Sequence, residues 1–186
     1  MMEYRAAIME VETRLKVLNE EFSQVYNRNP FESIKSRLKT PTSIYAKMAY
    51  KGYPVTVESI REHLTDVAGL RVICSFPDDI YRLADLLVKQ DDFILLRKKD
   101  YISNPKDNGY RSLHLILSVP IFLSNEKKYM KAEVQFRTIA MDFWASLEHK
   151  LKYKKDVENT EEIERKLRAC ADSIEALDYQ MQDIRD

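Results

Sequence analysis

The chain is poor in glycine. It has three in 186 residues, at positions 52, 69 and 109, too far apart to write a Gly-x-x-x-x-Gly-Lys loop, so any phosphate it binds is held by side chains and helix ends. Cysteine is scarce too: Cys74 and Cys170 lie far apart in apolar surroundings and form no C-x-x-C pair. That usage fits reduced packing residues and argues against a disulfide framework or a thiolate metal site. A net charge is lacking as well, with 30 basic against 30 acidic residues, so nothing global points to duplex DNA. Long apolar runs are missing. The longest uncharged stretch, Ser112 to Asn125, contains Pro120 and is too short to cross a bilayer. The first residues, MMEYRAAIMEVE, place acids where a signal peptide needs a basic and then an apolar stretch. The expectation is a cytoplasmic protein with no membrane partner, and at this length one domain with a core that needs no staples.

What is present is sidedness along the chain. Between Lys35 and Lys51 stand Lys35, Arg37, Lys39, Lys47 and Lys51 with no acid, whereas acids dominate from Asp156 onward. The split points to an anionic ligand held by the middle of the chain, although a solvated helix face gives the same run. Apolar residues at Ile8, Val11, Leu15, Leu18, Phe22 and Val25 draw one stripe down a long N-terminal helix. Ile163, Leu167, Cys170, Ile174, Leu177, Met181 and Ile184 draw another near the C-terminus, and a second basic run covers Lys150 to Lys155. Stripes this narrow either pack on their own domain or build an oligomer.

Between them the pattern predicts strands at Leu70–Phe76, Phe93–Tyr101, Ser112–Val119 and Lys131–Arg137, with helices at Asp78–Lys89 and Thr138–Leu151. Thr40-Pro41 reads as an N-cap and first helical position for a helix ending at Gly52. Asn104-Pro105 and Asn108-Gly109 punctuate a loop. The fold class expected is α/β in the α+β sense: a mixed sheet of about five strands with flanking helices. Residues 1–27 form the first helix, 29–154 a catalytic core, and 158–186 a C-terminal helix.

Alternation in AEVQFR puts Glu133, Gln135 and Arg137 on one face of a strand and Val134 and Phe136 on the other. Such a polar row is costly in an interior unless a ligand or metal pairs with it, and ordinary on an edge strand facing water. Tyr110, Ser112 and His114 make a second polar face on the neighbouring strand. Tyr110 is placed to stack on a base, with plain packing an equal reading. Asp66, read as opening the strand that follows it, and Glu133, from separate strands, make a plausible Mg2+ pair, because that ion takes few protein oxygens and completes its shell with phosphates. Arg37, Lys39 and Lys47 supply charge for a polyphosphate.

Five segments in order, RLKTPTSIYAK (Arg37 to Lys47), DVAGLRVIC (Asp66 to Cys74), NPKDNGYRSLH (Asn104 to His114), EVQFRT (Glu133 to Thr138) and MDFWASLEHKLKYK (Met141 to Lys154), resemble the synthetase motifs of RelA/SpoT-type alarmone enzymes. The bracketing helices resemble the single-domain branch, the small alarmone synthetases, and NRNPFESIKSR resembles its RelP (YwaC) group more than its RelQ group. The resemblance implies a nucleotidyltransferase-like sheet and Mg2+-dependent transfer of pyrophosphate from ATP to the 3′-hydroxyl of GDP or GTP. It implies that Arg37 and Arg71 sandwich adenine while Lys39, Ser43 and Lys47 hold the ATP phosphates. Asp66 and Glu133 would hold the metal, and Glu133 would act either as the base or as a metal ligand that lowers the alcohol's pKa. Tyr110 would stack on guanine, Lys99, Lys106 and His114 would meet the acceptor's phosphates, Gln135 and Arg137 would support the shared face, and Asp142 would accept from guanine. Arg111 reads equally as structural. A homotetramer is implied, and alarmone or single-stranded RNA stands as a candidate regulator. No His-Asp dipeptide occurs, so synthesis without hydrolysis is expected. Two rivals stand beside this reading: a transferase that attacks the α-phosphorus of ATP, and a nucleotide- or RNA-binding module without catalysis.

Overall fold

A computed structural model describes residues 1–153 and 160–185. Among the described residues, six helices and five strands follow the order α1 (Met2–Tyr26), β1 (Phe31–Leu38), α2 (Pro41–Lys51), α3 (Val57–His63), β2 (Ala68–Cys74), α4 (Pro77–Val88), β3 (Ile94–Asp100), β4 (Leu113–Phe122), β5 (Lys127–Thr138), α5 (Ile139–Tyr153) and α6 (Thr160–Arg185). The sheet runs β1-β2-β5-β4-β3. Only β2 and β5 are parallel; the other neighbours are antiparallel. The mixed α+β sheet expected from the sequence is therefore what forms.

Period-two alternation decides the layering. Val72, Phe136 and Leu113 align across the sheet, as do Leu70, Val134 and Leu115, and Ala68, Ala132 and Leu117. All nine are buried. They pack under the α1 stripe (Ala7, Ile8, Val11, Leu15, Leu18) and under Ile80, Leu83, Ala84 and Leu87 of α4 in one continuous core. A buried leucine on either helix is worth about 2–5 kcal/mol against alanine. The opposite face of the sheet carries mostly polar side chains, with Ile73 and Ile116 among them.

Two elements carry too little pattern to be read from sequence. β1 holds Lys35 and Arg37 and lies at the sheet edge, with β2 as its sole neighbour, so no apolar alternation marks it. α3 is one short helix of seven residues capped by Thr56, whose Oγ1 accepts from Ser59 N at 3.2 Å. Strand β4 begins at Leu113, one residue later than expected, and Ser112 Oγ donates to the Phe136 carbonyl at 3.0 Å. Tyr110 thus precedes the strand. Pro120 is tolerated inside β4 because pairing with β3 stops at Ser118, leaving an open edge there. The Thr40 cap forms as read, with Ser43 N donating to Thr40 Oγ1 at 3.2 Å, and Gly52 ends α2 at φ +69°.

The C-terminal stripe is corrected. Leu167 and Ala171 are buried and Ile163 and Ile174 partly so, while Cys170, Leu177, Met181 and Ile184 are exposed. Cys170 is therefore no packing residue, whereas Cys74 is buried. The packed face runs Leu167, Ala171, Ile174, Asp178, Gln182, and its second half is polar, which an apolar stripe cannot register. Thr138 Oγ1 donates to Asp178 Oδ2 at 2.6 Å, and Asp78 N to Gln182 Oε1 at 3.0 Å. Arg185 forks onto Asp78 at 2.8 and 2.9 Å. Trp144 Nε1 donates to the Leu167 carbonyl at 2.9 Å. Of the expected C-terminal helix, 158–159 lie outside the described residues, as do Lys154 and Lys155 of the second basic run.

Gly109 ties the 101–112 loop to α6. Its φ is +89°, and a Cβ there would stand 2.6 Å from Ala171 Cβ and 3.2 Å from Arg168 Cδ. Gly109→Ala is expected to cost about 1–3 kcal/mol through backbone strain and the clash, read as a lower midpoint in urea. Asp178 gives a pH signature. Burial pushes its carboxyl up, against the Thr138 hydrogen bond and the Arg111 charge, to a net value above the ordinary 3.8. The folded state then binds more protons than the unfolded chain in the window starting at 3.8, so this group's contribution falls as pH rises through it. Asp178→Asn is expected to raise the melting midpoint near neutral pH, by an amount that shrinks as pH is lowered toward 3.8.

Candidate active site

On the polar face, register aligns Lys99, His114, Gln135, Arg71 and Lys35 in one row across all five strands. The next row is Arg97, Ile116, Glu133, Gly69 and Arg37. Two residues apart on each strand, the rows share a face. Between them lies a cavity of about 190 Å³ walled by Lys35, Arg37, Asp66, Arg71, Glu133 and Gln135. Gly69 forms its floor: with no side chain between Arg37 and Glu133, the backbone itself lines the space.

Asp66 sits at the mouth just before β2, where Lys39 N donates to the Val67 carbonyl at 2.8 Å and holds the end of β1 close. Its Oδ2 accepts from Lys47 Nζ at 2.7 Å and Lys39 Nζ at 3.1 Å. Burial raises the Asp66 pKa, but the two lysines more than offset it, and the net value lies below the usual carboxylate range. Glu133 behaves alike. Burial pushes it up, contact with His114 and the hydrogen bond from Gln135 Nε2 at 3.1 Å pull it down, and it ends below its ordinary value. Both groups are carboxylates at neutral pH.

A second wall rises on the β4 side. His114 Nδ1 lies 3.5 Å from Glu133 Oε1 and its Nε2 lies 2.9 Å from Tyr110 Oη. A proton on Nδ1 facing the carboxylate leaves Nε2 to accept from the tyrosine. Tyr110 Oη accepts in turn from Arg137 Nη2 at 2.7 Å, with the Arg137 guanidinium 5.0 Å from the ring centre. Lys106 Nζ lies 4.8 Å from the ring centres of both Tyr101 and Tyr110.

A divalent cation suits this chemistry. Asp66 Oδ1 is buried with no hydrogen-bond partner, and Glu133 lines the same cavity. Among the described residues no three His, Cys, Asp or Glu converge as a closed metal site. The protein thus supplies two carboxylates, the donor set of an ion such as Mg2+ that takes its other oxygens from water and phosphate.

Residues 36–158 match the family described as a region found in RelA/SpoT proteins. Over 182 residues the chain is 42% identical to GTP pyrophosphokinase YwaC of Bacillus subtilis (strain 168), covering 98% of this chain and 87% of that protein. The chain belongs to the RelA/SpoT family. Within it, the whole-length match identifies a small alarmone synthetase. The fold superposes on small alarmone synthetase 1 from Bacillus subtilis bound to its product pppGpp with a TM-score of 0.86, at 34% identity over 98% of this chain and 92% of that one. The same protein bound to AMPCPP matches with a TM-score of 0.79, at 32% identity over 98% and 91% of the two chains.

For a member of this family, the structure brings Arg37, Lys39, Lys47, Asp66, Arg71, Glu133 and Gln135 to one cavity and its rim. It places Lys106, Tyr110, His114 and Arg137 on the adjoining wall. Ser43 stands in the first turn of α2, its Oγ accepting from Thr40 Oγ1 at 2.9 Å. Lys99 is the β3 partner of His114 at the sheet edge. Asp142 is buried and engaged by Lys35, Arg71 and Arg137. Arg111 is buried too, donating to the Ala171 carbonyl at 2.9 Å and to Glu175 at 2.7 Å, which gives it a structural part. Three participants escape sequence reasoning. Tyr101 stands edge-on to Tyr110 and His114 at 6.0 and 5.3 Å, its only signal being an aromatic ring at a strand end. Asn108, read as turn punctuation, accepts from Tyr110 N at 3.1 Å and donates to Glu148 at 3.1 Å, so Asn108 and Glu148 together set the Tyr110 loop.

Gly69→Val tests the floor. A Cβ there would lie 3.8 Å from Arg37, an ordinary contact, so the strand tolerates it while the branched methyls enter the cavity. Affinity for an ATP analogue is expected to fall about ten- to a hundredfold, the range that ~1–3 kcal/mol of overpacking gives, with the melting midpoint little changed; calorimetric titration reads it.

Proposed function

We propose that this cleft transfers the terminal pyrophosphate of ATP to the 3′-hydroxyl of GDP or GTP, giving ppGpp or pppGpp and AMP. The observation that carries the reading is the position of Glu133. It shares a cavity with Arg37, Arg71 and Asp66 on one side and touches His114 of the Tyr110 wall on the other, so one carboxylate stands where a donor and an acceptor nucleotide meet. Membership of the RelA/SpoT family, and relatives named GTP pyrophosphokinases and bound to pppGpp or AMPCPP, support it.

Arg37 and Arg71, two residues apart on the face, grip adenine by stacking. Lys39 and Lys47, already gathered by Asp66, meet the ATP phosphates together with Ser43 at the α2 N-terminus, where the helix dipole favours an anion. Tyr110 stacks on guanine. Lys106, His114 and Lys99 face the acceptor phosphates, and Gln135 and Arg137 fix the shared face. Asp66 and Glu133 would hold Mg2+, which would supply positive charge to the phosphate oxygens. Glu133 takes the 3′-hydroxyl proton as the oxygen bonds to the β-phosphorus. The bond from that phosphorus to the α-phosphate oxygen breaks, and AMP departs against the Lys39–Lys47–Arg71 cations. Positioning supplies much of the rate.

The reading extends to a cytoplasmic enzyme that synthesises without hydrolysing and works as a homo-oligomer, taken as a homotetramer. Exposed Ile139, Phe143, Leu147 and Leu151, spaced by four along α5, support self-association, as do Leu177, Met181 and Ile184 on α6. Alarmone or single-stranded RNA stays the candidate regulator. No described helix is long and apolar enough to cross a membrane.

With Mg2+, ATP labelled at the γ-phosphate and GDP or GTP, purified protein is expected to yield labelled ppGpp or pppGpp and unlabelled AMP on thin-layer separation. Release of pyrophosphate in place of AMP would assign attack to the α-phosphorus and remove the proposal. Glu133→Gln is expected to lower turnover by about 10²–10⁴-fold, the range for a lost general base, with ATP-analogue binding retained.

A further inference from the structure

Asp142 stands in the first turn of α5, 8% exposed, and its two oxygens are shared among three cations from three strands. Oδ1 accepts from Arg71 Nη1 of β2 at 3.2 Å and from Arg137 Nη1 of β5 at 3.1 Å, while Oδ2 accepts from Lys35 Nζ of β1 at 3.3 Å. The two guanidiniums are neighbours of like charge. Burial, then the charge of Arg137, pull Arg71 below its ordinary value, and Asp142 works in the opposite direction. One carboxylate therefore holds together two cations that would otherwise separate. The cluster keeps a surplus of two positive charges, and both Arg71 Nε and Arg137 Nε are buried without a partner.

The two arginines serve different walls. Arg71 and Lys35 line the cavity that also holds Asp66 and Glu133. Arg137 stands on the other wall, donating to Tyr110 Oη at 2.7 Å with its guanidinium 5.0 Å from that ring, and its Nη2 also meets Gln135 Oε1 of the cavity lining at 3.4 Å. Among the described residues Asp142 is thus the side chain that bonds both to the donor-side Arg71 and to the Arg137 that fixes the acceptor-side tyrosine. With its oxygens already engaged, it would have to give up this clamp in order to accept from a purine base.

We propose that Asp142 is a positioning residue that couples the two nucleotide pockets through Arg71–Asp142–Arg137–Tyr110. This rests on the pyrophosphokinase reading of the cleft. A nucleotide stacked against Arg71 orders the guanidinium, Asp142 passes that order to Arg137, and Tyr110 is set before the second nucleotide arrives. The second ligand then loses less conformational freedom on binding, which is positive coupling, and linkage makes it reciprocal.

The test is a pair of titrations with the full chain. The non-transferring analogue α,β-methylene-ATP is titrated with and without saturating GDP, and GDP with and without the analogue. The native protein is expected to show the same factor in both orders, within about 5- to 150-fold. Asp142→Asn removes the charge at nearly constant shape and is expected to lower the factor severalfold, the remainder passing through Glu133–His114–Tyr110, while each nucleotide alone still binds. Tyr110→Phe keeps the ring and deletes the hydroxyl that Arg137 holds; whatever it does to GDP binding alone, it is expected to lower the factor as well, and it carries the test if loss of the buried charge costs the fold. A structural role alone would shift the melting midpoint and leave the factor in place. A native factor of one, or an unchanged factor in either folded variant, overturns the inference while the functional reading survives. A native chain that binds neither nucleotide overturns both.

Discussion

The parallel pairing of β2 with β5 is the constraint from which the rest of the site follows. It sets Gly69 beside Glu133 and Arg71 beside Gln135. Because both strands alternate strictly, burying Leu70, Val72, Val134 and Phe136 forces those four polar or small positions onto the other face. Hydrophobic burial thereby fixes where the chemistry sits, since a slip of one residue in either strand would turn charge into the core. The core has a large share of the stabilising energy, and the charged face inherits its geometry from it. That is how a polar row on interior strands is sustained: its desolvation cost is met by neighbours such as Lys39, Lys47, His114 and Gln135.

The proposed phosphate recognition uses no glycine-rich loop. Its lysines come from the segment before α2 (Lys39) and from α2 itself (Lys47), both gathered around Asp66. A cluster of this kind is self-paired when the cleft holds nothing and can turn toward an anion without moving the backbone. Asp66 has one oxygen spent on that cluster and the other without a partner, so the same carboxylate can keep its lysines and still accept a cation.

Much of this was legible in the residues. The stripe read from Ile8 to Val25, which packs as far as Phe22 and leaves Val25 exposed, the Thr40-Pro41 cap and the alternation through Glu133, Gln135 and Arg137 each reflect a local rule that the fold follows. β1 was not legible, because an edge strand carrying Lys35 and Arg37 has no apolar period to display. Which side of α6 packs within the chain was not legible past Ile174, because Asp178, Gln182 and Arg185 dock through hydrogen bonds and ion pairs while the apolar spacing of Leu177, Met181 and Ile184 lies exposed. Asn108, Tyr101 and Glu148 escaped for a different reason. Their parts depend on how the 101–112 loop folds back on itself and onto β4 and α5, as in Tyr101 against Tyr110 and His114 or Asn108 to Glu148, which residue spacing does not display.

The dependence of the 101–112 loop on α6 bears on what counts as the smallest working piece of this protein. The buried Arg111 guanidinium ends on a carbonyl and two carboxylates of α6, and the Trp144 indole on another of its carbonyls. Cut away, that helix would leave a bare indole and an arginine without counter-charges just behind Tyr110. The catalytic motifs all precede α6 in the sequence, yet the unit that folds around them includes it, so motif boundaries and the boundaries of an autonomous fragment do not coincide.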